Sequence, residues 1–174
     1  MIAMSDLTLR ELFTFGLMQT DPNFANYLWR PEDDRIVLLD FGAVRPVATE
    51  SAEDYRALLR ATLSGSVAAV RDTLVAMRYL SPGQVARHGR TLDDMIATVL
   101  DQVFKGPGGR LDFSDRGPLV AVRDRAAPLL ADRSHWALPS PDKMFLQRKI
   151  TGLALLNMKL GTCLPLAEML HAYA

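Results

Sequence analysis

Gln19-Thr-Asp-Pro-Asn-Phe-Ala-Asn-Tyr27 and, after a turn, Leu38-Leu-Asp-Phe-Gly-Ala43 decide how this chain is read. Two short runs rich in strand formers, Asn26–Trp29 and Ile36–Leu39, flank Pro31-Glu32-Asp33-Asp34. Proline presets a turn dihedral and aspartate bonds its own backbone, so the cluster predicts an antiparallel hairpin folding about Asp33. A symmetric register about that residue sets Asn26 opposite Asp40. Asp21 enters just before the ribbon, on a loop that Pro22 holds out of helix. Two acids and an amide, well separated in sequence, thus converge at one end of a ribbon.

Oxygen ligands of this kind suit magnesium, which takes one or two carboxylates together with phosphate oxygens and water. A further acid beside the metal accepts a proton from a hydroxyl or orients a water. The spacing Asp-x-x-x-x-Asn followed by Asp-Phe-Gly is the phosphotransfer arrangement of kinase-like enzymes. The tripeptide alone is weak evidence. The composite, with a hairpin between its halves, is strong.

Met18-Gln-Thr-Asp-Pro-Asn-Phe-Ala-Asn-Tyr-Leu28 and Leu38-Leu-Asp-Phe-Gly-Ala-Val-Arg45 resemble the UbiB/Coq-type atypical kinases, protein-kinase-like ATPases linked to ubiquinone biosynthesis in bacteria, mitochondria and plastids. The likeness is close over Glu11–Arg45 and loose over the rest. It implies a mainly α fold: the C-terminal lobe of a protein-kinase-like fold, one domain over 1–174, with one short antiparallel hairpin carrying the metal-site residues. By the same likeness Asp21 matches the catalytic-loop aspartate, and Asn26 and Asp40 match the metal-binding asparagine and aspartate. The cofactors implied are Mg2+ with ATP. Asn23 stands where many protein kinases place a lysine.

Composition sets the outer bounds. With 174 residues, 49% of them hydrophobic, the chain is long enough for one domain with a real core. Twenty basic residues balance twenty acidic ones, which argues against a nucleic-acid binder. The first fifty residues hold eight acids against four arginines, an acidic end followed by a mildly basic body. Cys163 stands alone, which excludes an internal disulfide and fits a reducing compartment. His88, His135 and His171 are scattered, so a zinc site is not expected. The longest apolar run, Ile150–Met158, falls short of the roughly 20 residues a membrane span needs. Asp6, Arg10 and Glu11 interrupt any secretory leader. The expectation is a cytoplasmic or mitochondrial-matrix protein, at most peripheral to the inner membrane.

Along the chain, Thr8-x-x-Glu11 reads as a capping box ahead of a helical stripe of Leu9, Leu12, Phe13 and Leu17. Only Ala43–Glu50 separates Asp-Phe-Gly from Ser51-x-x-Asp54, a second helix-start signature. That leaves almost no room for the activation segment of a regulated protein kinase. Helical stripes follow at Tyr55–Leu63, stopped by Gly65, and at Val67–Met77. Ile96, Val99, Leu100, Val103 and Phe104 give the cleanest stripe, broken by Lys105-Gly-Pro-Gly-Gly, which reads as a turn. Gly117–Leu130 is a weaker helix, interrupted or ended near Pro128, and Ala137–Pro141 reads as extended, with Trp136 plugging a core gap. Pro141 opens a helix to about Leu160, apolar on most sides from Ile150 to Met158. Leu164–Tyr173 closes the chain as a short helix.

The four lysines, Lys105, Lys143, Lys149 and Lys159, all follow the motif. The nucleotide half of a kinase-like site needs a sheet lobe with a lysine on the phosphates. The Lys-x-Gly-Gln motif of the resembled family is not found either. The leading expectation is therefore a metal-binding C-terminal lobe of a UbiB-like kinase or ATPase, inactive without its N-terminal lobe. It would be a piece of a longer chain, a shortened reading frame or one part of a split enzyme. Its partners would be ATP, a small-molecule or lipid substrate, and that lobe or quinone-biosynthesis proteins. The rival is a non-catalytic helical module binding a protein or lipid. An aminoglycoside-kinase-type phosphotransferase shares Asp-x-x-x-x-Asn, but Gln-Thr-Asp-Pro-Asn favours the UbiB-like reading. A docking lobe should leave Leu17, Phe24 and Phe41 uncovered at its motif end.

Overall fold

The computed structural model describes residues 1–21, 23–106, 109–131 and 141–174. The expectations for Pro22, Trp136 and the extended run before Pro141 lie outside them. Seven helices are described: α1 Ile2–Arg10, α2 Thr49–Leu63, α3 Val67–Ala76, α4 Pro82–Lys105, α5 Gly117–Ala131, α6 Pro141–Leu160 and α7 Leu166–His171. Six short strands accompany them: β1 Leu17–Gln19, β2 Tyr27–Arg30, β3 Arg35–Leu38, β4 Val44–Pro46, β5 Leu111–Asp112 and β6 Cys163–Leu164. They form three separate antiparallel pairs, β1 with β4, β2 with β3 and β5 with β6. The mainly α expectation stands, while the single expected ribbon becomes three.

The helical stripes bury where their periods say they should. Ala61, Val70, Ile96 and Leu100 form one buried cluster across α2, α3 and α4, with Leu58, Val67 and Leu74 packed against it. The α4 stripe is one-sided: Leu92, Ile96, Leu100 and Val103 are buried, while Val99 is half exposed. This helix starts earlier than the stripe, at a full capping box. Ser81 Oγ accepts from the Gln84 amide at 3.1 Å and the Gln84 side chain accepts from the Ser81 amide at 2.9 Å, with Pro82 in the first turn. It bends at His88, whose φ of −123° and ψ of 15° leave the helical region. α5 runs through position 128 to Ala131 rather than stopping at the proline.

A second cluster lies under the motif. Leu12, Met18 and Leu146 are buried together, flanked by Phe13, Val47, Ala52 and Tyr55. It joins α6 to the opening segment. Two start signatures failed for one reason: their polar side chains point inward. Thr8 lies mid-helix and its hydroxyl donates to the Met4 carbonyl at 3.1 Å, the i−4 bond that competes with capping. Ser51 is buried inside α2, whose N-cap Ala48 supplies no side chain. α6 is less central than its apolar run predicts. Leu155 and Leu160 are exposed, whereas Asn157, Lys143 and Lys149 are buried.

Candidate functional site

The hairpin forms with a four-residue turn, Pro31–Asp34, and Asp34 takes the left-handed region at φ 52°, which aspartate tolerates better than most residues. Its register pairs Tyr27 with Leu38 and Arg30 with Arg35. The fold axis therefore falls between Glu32 and Asp33, and the expected pairing of Asn26 with Asp40 is off by one. Asn26 faces Leu39 instead, accepting its amide at 2.9 Å. The reason is parity: a four-residue loop has an even count and no central residue. Asn26 ends a 3₁₀ turn, Phe24–Asn26, and Asp40 follows β3, so both flank the ribbon's base rather than ride on its strands.

What draws the site residues together is side-chain bonding. Asp21 Oδ2 accepts from Asn26 Nδ2 at 2.9 Å, and its Oδ1 accepts from the Asn23 amide at 3.1 Å. Asn23, where a lysine is common in protein kinases, is a cap: its Oδ1 accepts from the Ala25 amide at 3.0 Å and starts the 3₁₀ turn. A carboxylate only accepts, so the Asn26 amide nitrogen must face Asp21, and its Oδ1 is left to point elsewhere. Asp40 Oδ1 accepts from the Gly42 amide at 2.7 Å. A Cβ at Gly42 would sit 3.2 Å from that oxygen, so the glycine permits the close turn. Among the described residues nothing donates to Asn26 Oδ1 or Asp40 Oδ2, two hard oxygen donors of the kind magnesium takes.

The β1–β4 pair locks the two halves of the motif together. Met18 pairs with Arg45 and Gln19 with Val44, and the Thr20 amide and hydroxyl both donate to the Ala43 carbonyl, at 3.1 and 2.8 Å. Gln19 then bridges the loops through its side chain. Its Nε2 donates to the Asp40 carbonyl at 2.7 Å and its Oε1 accepts from the Asp21 amide at 3.1 Å. Sequence reasoning passed over this glutamine, although a buried amide just before a catalytic-type aspartate must find partners for both of its ends.

Beneath them sits a buried ion pair. Glu11 Oε2 lies 3.3 Å from Lys149 Nζ, with both side chains less than a tenth exposed, and Glu11 Oε1 accepts from the Gln19 amide at 3.5 Å. Lys149 also donates to the Tyr27 hydroxyl at 2.6 Å. Burial pushes the Glu11 carboxyl above its ordinary range, while Lys149 and the Gln19 amide pull it back down. The glutamate read as a capping residue is instead an anchor for α6. On the other side of Asp21 a cleft of about 470 Å³ is lined by Thr20, Gly42, Arg45, Phe145 and Arg148, with Arg45 stacked 4.4 Å over the Phe145 ring.

The sequence profile of the ABC1 atypical kinase-like domain matches residues 2–74, a span that holds every one of these motif residues. The mitochondrial atypical kinase COQ8 of Saccharomyces cerevisiae is 34% identical over 173 residues, covering 96% of this chain and 34% of the relative. The mitochondrial atypical kinases COQ8B of Rattus norvegicus and Danio rerio are each 30% identical, over 84% and 88% of this chain. The chain belongs to the UbiB/Coq-type atypical kinases. It spans about a quarter to a third of the length of these curated relatives.

In this UbiB-type chain the motif end is markedly apolar. Phe41 is 62% exposed and Leu17 48%, with Leu28, Trp29 and Leu39 also more than half exposed. Phe24, expected with them, is half-buried and packs its ring 6.3 Å from that of Tyr27. Among the described residues no helix is long and apolar enough to cross a membrane.

Proposed function

We propose that Asp21, Asn26 and Asp40 form the magnesium-and-phosphate half of an ATP-dependent phosphotransferase or ATPase supporting ubiquinone biosynthesis. One observation carries the reading. The Asn26–Asp21 bond and the Gln19 bridge hold the three residues in one frame, and among the described residues nothing donates to Asn26 Oδ1 or Asp40 Oδ2. In that frame Asn26 and Asp40 would hold the metal, and Asp21 would take the proton of an attacking hydroxyl or orient a water. The chemistry magnesium would supply there is neutralisation of charge on a transferring phosphate. Two protein oxygens are too few for a magnesium shell, so nucleotide phosphates and water would have to supply the rest. The reading assigns the grip on those phosphates to a separate sheet-rich lobe, docking on the exposed face of Leu17, Trp29, Leu39 and Phe41. The relatives named COQ8 are the basis for the pathway.

The test is ATP turnover by the purified 174-residue chain, alone and with a matching N-terminal lobe fused or added in trans. No measurable turnover alone, turnover with the lobe, and its loss in Asp40→Asn support the proposal. Robust turnover by the bare chain that vanishes in Asp40→Asn would overturn the need for a second lobe. No turnover in either form would leave the non-catalytic module as the better reading.

A further inference from the structure

Beside Asp21, the cleft of about 470 Å³ falls within the range of roughly 300–1,000 Å³ that small-molecule sites occupy. Thr20, Asp21, Arg45, Phe145 and Arg148 stand on its wall. Its two arginines come from elements that other contacts hold in place. Arg45 lies on β4, paired with Met18 of β1. Arg148 lies on α6 directly before Lys149, whose contacts with Glu11 and Tyr27 set that helix against the motif. Phe145 precedes Arg148 by three positions, which puts the two on one face of α6.

Neither of these guanidinium groups is neutralised by an acid among the described residues. Arg10, Arg30, Arg56 and Arg71 each pair with a carboxylate. Arg45 and Arg148 make no ion pair or side-chain hydrogen bond, and both are exposed. What holds Arg45 is the Phe145 ring, whose centroid lies 4.4 Å from the guanidinium carbon. Stacking engages the flat face of the guanidinium and leaves its N–H edge able to bond. Among the described residues Asp21 is the one carboxylate on this wall. Its two oxygens accept from Asn26 and Asn23, but a carboxylate has about four acceptor sites, so it keeps room for another donor. The wall therefore offers two grips for an anion and one acceptor for a hydroxyl.

We propose that this cleft binds a small phosphate ester carrying a free hydroxyl, with the phosphate held by Arg45 and Arg148 and the hydroxyl donating to Asp21. Two forks favour phosphate over carboxylate. One guanidinium already matches both oxygens of a carboxylate, whereas a phosphate monoester brings three acceptor oxygens and about two negative charges to share between a pair. Its role as phosphoryl acceptor rests on the phosphotransfer reading above. In that role the hydroxyl oxygen would bond to the terminal phosphorus of ATP, the bond from that phosphorus to the departing ADP oxygen would break, and the hydroxyl proton would pass to Asp21.

The experiment titrates glycerol 3-phosphate into the isotopically labelled 174-residue chain at low ionic strength, with neither nucleotide nor metal, and follows amide and arginine Nε–H signals by NMR. The expected result is saturable binding with shifts at Arg45, Arg148 and the Asp21 amide. Arg148→Gln, at an exposed position with no partner to lose, should weaken that binding roughly tenfold, the worth of one charge-assisted bond. Methyl phosphate, which has the anion but no alcohol, should bind roughly 3- to 10-fold more weakly, and glycerate, the carboxylate counterpart, should also bind more weakly. Because ATP and magnesium are absent, failure here is distinct from failure of the phosphotransfer reading, which ATP turnover with the added lobe decides. No saturable shift, binding that Arg148→Gln leaves untouched, or methyl phosphate or glycerate binding as tightly as glycerol 3-phosphate would overturn the proposal.

Discussion

Replacing Lys149 by methionine removes one charge from the buried pair under the motif and keeps much of the side chain's volume. At 3.3 Å and an effective dielectric near 20, the attraction lost is roughly 5 kcal/mol. Part of that was offset by desolvation of the two charges, and the bond to Tyr27 is lost as well. Breaking a buried pair by removing one partner costs about 3–5 kcal/mol, so Lys149→Met should lose that much at pH 7. The loss should also depend on pH. The Glu11 carboxyl is already raised by burial and held down by Lys149; without the lysine it rises further. The folded variant then binds a proton that the unfolded chain, near its ordinary 4.5, has released. Stability of the variant therefore rises as pH falls from 7 toward 5, and the deficit shrinks by up to about 2.7 kcal/mol over two pH units. Glu11→Leu combined with Lys149→Met should recover most of the loss, since no charge is left unpaired. Urea unfolding followed by circular dichroism at pH 5 and 7 measures all of these. A loss below about 1 kcal/mol for the single variant, or one that is the same at both pH values, would refute the reasoning.

Gln19→Ala deletes both arms of the bridge; it should cost about 1–3 kcal/mol and speed hydrogen exchange at the Asp21 amide, read by NMR. In a preparation active with its nucleotide lobe, Asp21→Asn should slow transfer by about 10²–10⁴-fold while sparing nucleotide binding, whereas Asp40→Asn should weaken metal-dependent binding itself; turnover and nucleotide titrations separate the two. Ser81→Ala removes the α4 cap and should destabilise by about 1 kcal/mol in urea unfolding, without altering any property of the motif.

The parts of the fold that could be read from the sequence are those with local causes. The turn cluster Pro31–Asp34 announces the hairpin, and period-3.6 stripes announce α2, α3 and the latter half of α4, because each stripe faces one neighbour. Register was lost by one position, since it depends on how many residues the loop takes up, and composition does not say. The β1–β4 and β5–β6 pairs are two or three residues long, too short to carry an alternation. The inward-facing Thr8 and Glu11 matched a capping pattern whose chemistry depends on the backbone around it. For Glu11 the deciding partner is Lys149, far away on α6. That Asp21, Asn26 and Asp40 gather at the ribbon's base was legible from the turn and the spacing. Gln19, which ties them together, was not, because its two bonds cross between segments that only the folded chain brings into contact.

The central claim is that Asn26 and Asp40 present their free oxygens to one metal ion. It is tested most directly by titrating Mn2+ with ATP into the labelled 174-residue chain and mapping paramagnetic broadening, which registers even weak binding. The account predicts broadening centred on Asp21, Asn26, Asp40 and Gly42, and its loss in Asp40→Asn. Broadening centred instead on the acidic hairpin tip, Glu32 to Asp34, and unchanged in Asp40→Asn, would contradict it.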